Sequence, residues 1–116
     1  MATSDGDDLY QRLATMAETH ERADSRATTV LGYFRVADYD HWRAGYEQAV
    51  TADPALLSHR IWRGQDDPNA VMVAETFDSR SYAETAWNHE ATREAMARDG
   101  IDMSSLRFEY YDEVDG

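Results

Sequence analysis

The 116-residue chain has no cysteine, no lysine, only two prolines and no apolar run long enough to span a membrane. The absence of cysteine removes disulfides, thiolate nucleophiles, iron–sulfur clusters and cysteine zinc sites. Without lysine, all basic charge rests on 11 arginines, which face 23 acidic residues for a net charge of −12. A surface of that sign repels phosphate backbones and anionic lipid headgroups, so neither nucleic acid nor membrane is an expected partner. The composition is that of a salt-loving or high-GC host, where screening relieves the self-repulsion. The N-terminus lacks the basic-then-apolar pattern of a secretory leader, and a cytoplasmic location is expected. There is no phosphate loop, dinucleotide fingerprint or nucleophile elbow. No histidine–carboxylate spacing suits a metal; Asp66 and Asp67 sit beside Pro68-Asn69 and read as turn residues.

What is present suffices for one domain. Apolar residues make up 42% of the chain. A domain of this size leaves apolar surface uncovered, and pairing with a second copy is a natural remedy. Residues 1–27 read as an N-terminal extension, with Leu9, Leu13, Met16 and His20 spaced for a short helix or a frayed arm. The domain proper is expected over 28–114.

Within it, Thr28 to Val36 is rich in β-branched and aromatic residues and predicts a strand. Val30, Phe34 and Val36 share one face and Leu31 and Tyr33 the other, as in a strand covered on both sides. Asp38 or Asp40 can cap a helix carrying Tyr39, Trp42, Tyr46, Ala49 and Val50, and Asp53-Pro54 stops it. Leu57–Arg63 and Ala70–Phe77 predict an antiparallel hairpin about the turn 64–69. A second helix is expected to about Arg98, capped by Ser81 with Glu84, or one turn earlier by Asp78 or Ser79. Its middle, Trp87-Asn88-His89-Glu90, lacks aliphatic residues and reads as a break or a polar notch. Gly100 suits the left-handed cap, and Ser105–Val114 predicts the last strand. The order is βαββαβ. It predicts an α+β, ferredoxin-like domain, with a four-stranded antiparallel sheet and two helices on one face.

Ala37-Asp38-Tyr39-Asp40-His41-Trp42, the stretch from Trp62 to Asn69, Asp78-Ser79, and Arg93-Glu94-Ala95-Met96 followed by Gly100-Ile101 together resemble the dimeric α/β-barrel superfamily, which contains antibiotic-biosynthesis monooxygenase-like proteins. The resemblance implies a homodimer whose two sheets pack face to face as a dimeric α/β barrel. It also implies a pocket between sheet and helices in each subunit. The superfamily includes cofactor-independent oxygenases, haem-degrading enzymes and cyclases. Haem-binding members place a histidine a few turns beyond the tryptophan; Met96 and Ala97 stand there in this chain, and no cofactor is expected.

The candidate site residues follow from chemistry and that implied pocket. His59 and His89 are the candidate catalytic bases, since imidazole titrates near neutrality; each also reads as an ordinary strand-end or helix-surface histidine. Tyr33, Trp62 and Trp87 could wall a pocket for a flat, apolar or aromatic ligand. Glu75 lies in the apolar phase of its strand, either paired with Arg35 or Arg107 or as an acid of raised pKa. The functional expectation is an enzyme on a small organic molecule, such as a cofactor-free oxygenase, isomerase or cyclase. The alternatives are a non-catalytic ligand-binding dimer and a structural or interaction module.

Overall fold

In the computed structural model, which describes residues 27–114, the chain forms β1 (Thr28–Val36), α1 (Tyr39–Ala52), β2 (Leu56–Arg63), β3 (Ala70–Phe77), α2 (Arg80–Asn88), α3 (Glu90–Arg98) and β4 (Ile101–Tyr111). The helical stripe expected through Leu9, Leu13, Met16 and His20 lies outside the described residues. The strands make one sheet in the order β2-β3-β1-β4, antiparallel throughout. This is the ferredoxin-like arrangement expected from the sequence, with one difference. Three helices replace the expected two, because the second is broken at His89.

The break has a local cause. His89 adopts an extended backbone (φ −64°, ψ 138°) and serves both helices, ending α2 and capping α3. Its Nδ1 accepts the Ala91 N–H at 3.1 Å. A side chain that satisfies the N–H of the next helix stabilises a new N-terminus where an unbroken helix would have continued. The other caps are simpler. Asp38 accepts from His41 N to start α1, and Ser79, the earlier of the two alternatives, accepts from Tyr82 N to start α2.

The helices cover one face of the sheet. Val30, Phe34 and Val36 of β1 and Val71, Val73 and Phe77 of β3 are buried there against Trp42 of α1 and Tyr82, Ala83, Ala86 and Trp87 of α2. Trp42 meets Phe34 edge-on and stacks on Tyr46 with ring centroids 4.9 Å apart. The opposite face is open. Its middle row is Trp62, Met72, Tyr33 and Arg107, one residue from each strand in register. Tyr33 and Trp62 remain 48% and 39% exposed.

β4 begins at Ile101, earlier than expected, because Gly100 (φ 92°) turns the chain straight into pairing, with Ile101 opposite Val36. The strand is then irregular. Its register against β1 shifts between Tyr33 and Arg35. Asp102 Oδ1 accepts from the backbone and hydroxyl of Ser104, and Arg35 N donates to Ser105 Oγ. Such a bulge breaks the period-two alternation, which is why this stretch reads as loop. It also brings Phe108 to the helix side, opposite Gly32.

Gly32 is where the sheet receives Trp87. A β-carbon at this position would stand 2.5 Å from the indole Cη2. Gly32→Ala must therefore displace a buried ring, and overpacking of this kind costs about 1–3 kcal/mol. A urea titration should show that loss together with a change in tryptophan emission. An unchanged midpoint would show that Trp87 does not rest on the strand.

Candidate functional site

Strand parity on β3 decides the site. Val71, Val73, Glu75 and Phe77 alternate onto the helix face, so a carboxylate is carried into the apolar layer with its neighbours. Glu75 is 8% exposed. Among the described residues no arginine meets it: Arg35 pairs instead with Asp67. Two neutral donors hold it. The Tyr46 hydroxyl donates to Oε2 at 2.6 Å, and the Trp87 indole N–H donates to Oε1 at 3.0 Å. α1 places Tyr46 one turn beyond Trp42, and α2 places Trp87 at its buried end.

Burial penalises the charged form and pushes the Glu75 carboxyl up to about 7. The Tyr46 and Trp87 bonds oppose that rise, and the charge of Asp53 adds to it. The two donors are not equivalent. An indole N–H can only donate, whereas a phenol hydroxyl can donate or accept. The proton of the neutral acid is therefore accommodated on the Tyr46 side, at Oε2.

Glu75 borders a partly open cavity of about 100 Å³ between sheet and helices. Trp42, Tyr46, Phe34, Phe77 and Trp87 supply aromatic wall, and α3 closes it with Thr92, Ala95 and Met96. Two further acids lie on the wall. Asp53, which ends α1, accepts from Ala55 N and from the Tyr82 hydroxyl, each at 2.9 Å. Asp99, at the end of α3, lies against Gly45 of α1, where a β-carbon would come within 2.7 Å of its carboxylate. Burial raises the pKa of both, the nearby Arg98 and His41 opposing it at Asp99.

The six sequence candidates do not share one pocket. Glu75 and Trp87 border the cavity. Tyr33 and Trp62 are one strand step out of phase with that face and line the broad concavity of the open sheet face. His59 is the register partner of Glu75 on the edge strand β2, but its imidazole is exposed, edge-on to the Tyr46 ring and 4.0 Å from Glu47. His89 is committed to the helix break. The sequence reading missed Tyr46, Asp53, Thr92 and Asp99. Tyr46 fell in a helical stripe that reads as core bulk; its signal was a hydroxyl that needs a partner when buried. Among the described residues, no group of three or more histidine or acidic side chains is placed to hold a metal ion, and no helix is long and apolar enough to cross a membrane.

The pH dependence follows from Glu75. Its proton is held by the folded chain and lost by the unfolded one between the usual carboxylate range and about 7. Stability therefore falls as pH rises through that window, and levels off above it. Glu75→Gln lacks this contribution. Urea unfolding should show the variant gaining on the wild type by about 2 kcal/mol between pH about 5.5 and about 8. Parallel stability profiles would contradict the assignment.

No protein-family model and no curated protein matches the sequence. Solved structures do match the fold. SnoaB, a cofactor-independent oxygenase from Streptomyces nogalater, superposes with a TM-score of 0.62 at 11% identity, over 78% of this chain and 96% of that one. An antibiotic biosynthesis monooxygenase-like protein from Chloroflexus aurantiacus J-10-fl gives 0.60 at 21% identity, over 78% and 95%. One from Caulobacter crescentus CB15 gives 0.58 at 16%, over 84% and 99%. The chain thus has the ferredoxin-like α+β fold found in antibiotic biosynthesis monooxygenase-like proteins.

Proposed function

We propose that this protein is a homodimeric enzyme that moves a proton on a small, largely apolar organic molecule in the cavity between sheet and helices, as a cofactor-independent oxygenase. The observation that carries the proposal is Glu75, a buried carboxyl whose pKa lies near neutrality at the wall of an aromatic cavity. A base works best when its pKa matches the working pH. Glu75 meets that condition inside the cavity, and the two histidine candidates do not border it. The shared fold with a cofactor-independent oxygenase supports the reading of the reaction.

In this reaction Glu75 takes the proton from an activated C–H bond and leaves the electron pair on carbon. That electron-rich carbon reduces dioxygen to the peroxide level in single-electron steps, and a C–O bond forms. Glu75 returns the proton to the outer oxygen, giving a hydroperoxide, and loss of water from it leaves a ketone. Tyr46 holds Oε2 during both transfers, and Trp87 fixes the carboxyl plane. Neither donor brings a positive charge that would weaken the base.

The dimer belongs to the same proposal. The row Trp62, Met72 and Tyr33 is an apolar band across an otherwise acidic protein, and a second sheet covers such a band well. Sedimentation at micromolar concentration should give the dimer mass, and a monomer at all concentrations would contradict this part. The enzymatic part predicts dioxygen uptake under air with a panel of small compounds, of about five ring atoms, that carry an activated CH2 group. That uptake should fall on the order of 100-fold or more in Glu75→Gln. Equal uptake by the variant, or none by the wild type across such a panel, would overturn it.

A further inference from the structure

The cavity has a charge character that its size and aromatic walls do not require. Three carboxyls border it, those of Asp53, Glu75 and Asp99, and among the described residues no arginine or histidine does. The Thr92 hydroxyl, also on its wall, is buried and has no hydrogen-bond partner among the described residues. That orphan hydroxyl leaves polar capacity for something inside.

We infer that the ligand of this cavity is a compact organic amine, bound as its ammonium ion with Glu75 as counter-ion and the rings of Trp42, Tyr46 and Trp87 around its apolar body. Electron-rich ring faces attract a desolvated cation. A carboxylate ligand would add a negative group beside three carboxyls, with no cation on the described wall to pair it. Volume limits the body: cavities of roughly 150 Å³ take one benzene ring, so this one suits a ring of about five atoms. The inference rests on the reading of the cavity as the ligand site and is independent of the oxygen chemistry.

The groups that face Glu75 fix the expected pH response. They are Tyr46 from α1, Asp53 beyond its end, Trp87 from α2, Val30 from β1 and His59 from β2, the last with its imidazole outside. None is a cation inside the cavity that could take the place of the ligand's charge.

Three probes of similar size separate the outcomes: pyrrolidinium, cyclopentanol and cyclobutanecarboxylate, titrated into the full chain by calorimetry. Pyrrolidinium should bind most tightly, and its affinity should fall about tenfold per pH unit below the Glu75 midpoint. Near neutrality its binding should release a proton, read as a dependence of enthalpy on the buffer. Glu75→Gln should abolish that release and weaken pyrrolidinium at least tenfold while leaving cyclopentanol unchanged. Asp99→Asn, which leaves the Tyr46 and Trp87 bonds alone, should weaken pyrrolidinium by a smaller factor if Glu75→Gln does not fold. If cyclopentanol binds and pyrrolidinium does not, the cavity stands and the amine is wrong. Cyclobutanecarboxylate binding as well as pyrrolidinium overturns the charge argument. If no probe binds, the cavity reading falls and the inference with it.

Discussion

A single carboxyl in the apolar layer organises this protein. Glu75 cannot be buried ionised at low cost, and it cannot be left without partners. The fold answers with two neutral donors from different helices, the Tyr46 hydroxyl and the Trp87 indole N–H. Their placement constrains the rest. Trp87 reaches Glu75 only because Gly32 leaves room for its ring on β1. Tyr46 reaches it because α1 is anchored through Trp42 against Phe34, and because Asp53 ties the end of that helix to Tyr82. One acid thus couples the sheet to α1 and α2.

The same arrangement carries the chemistry. Neutral donors satisfy the carboxyl without supplying positive charge, so burial dominates and the group stays near neutrality. An arginine in place of Tyr46 would have given a firmer ion pair and a poorer base. α3 has no fully buried residue, yet it furnishes part of the cavity wall beyond the break at His89. The site is therefore built from a firmly packed half, carrying Glu75 and Trp87, and a lightly packed one, carrying Thr92 and Met96.

The fold was largely legible because its punctuation is local. Asp38, Asp53-Pro54, the 64–69 turn, Ser79 and Gly100 each act through their own neighbours, and each stands where the sequence suggested. The polar run through His89 announced a break for the same reason. What could not be read is which sheet face the helices cover. β1 is apolar in both phases, so Val30 with Phe34 and Leu31 with Tyr33 are equal choices until the helices are placed. That ambiguity put Tyr33 and Trp62 into one expected pocket with Glu75, whereas parity sets them on opposite faces. The start of β4 was hidden by its bulge. Glu75 was legible as an acid out of place in its strand, but its partners were not, since tyrosine and tryptophan at helical spacing read as core.

The central claim is the ionisation of Glu75, and carbon-13 NMR of protein labelled at the glutamate carboxyl carbons tests it most directly. The Glu75 resonance is identified by its loss in Glu75→Gln and followed as pH is raised. The account predicts a midpoint of about 7 for this carbon, well above the usual carboxylate range. A Glu75 resonance that titrates in the usual carboxylate range would contradict it.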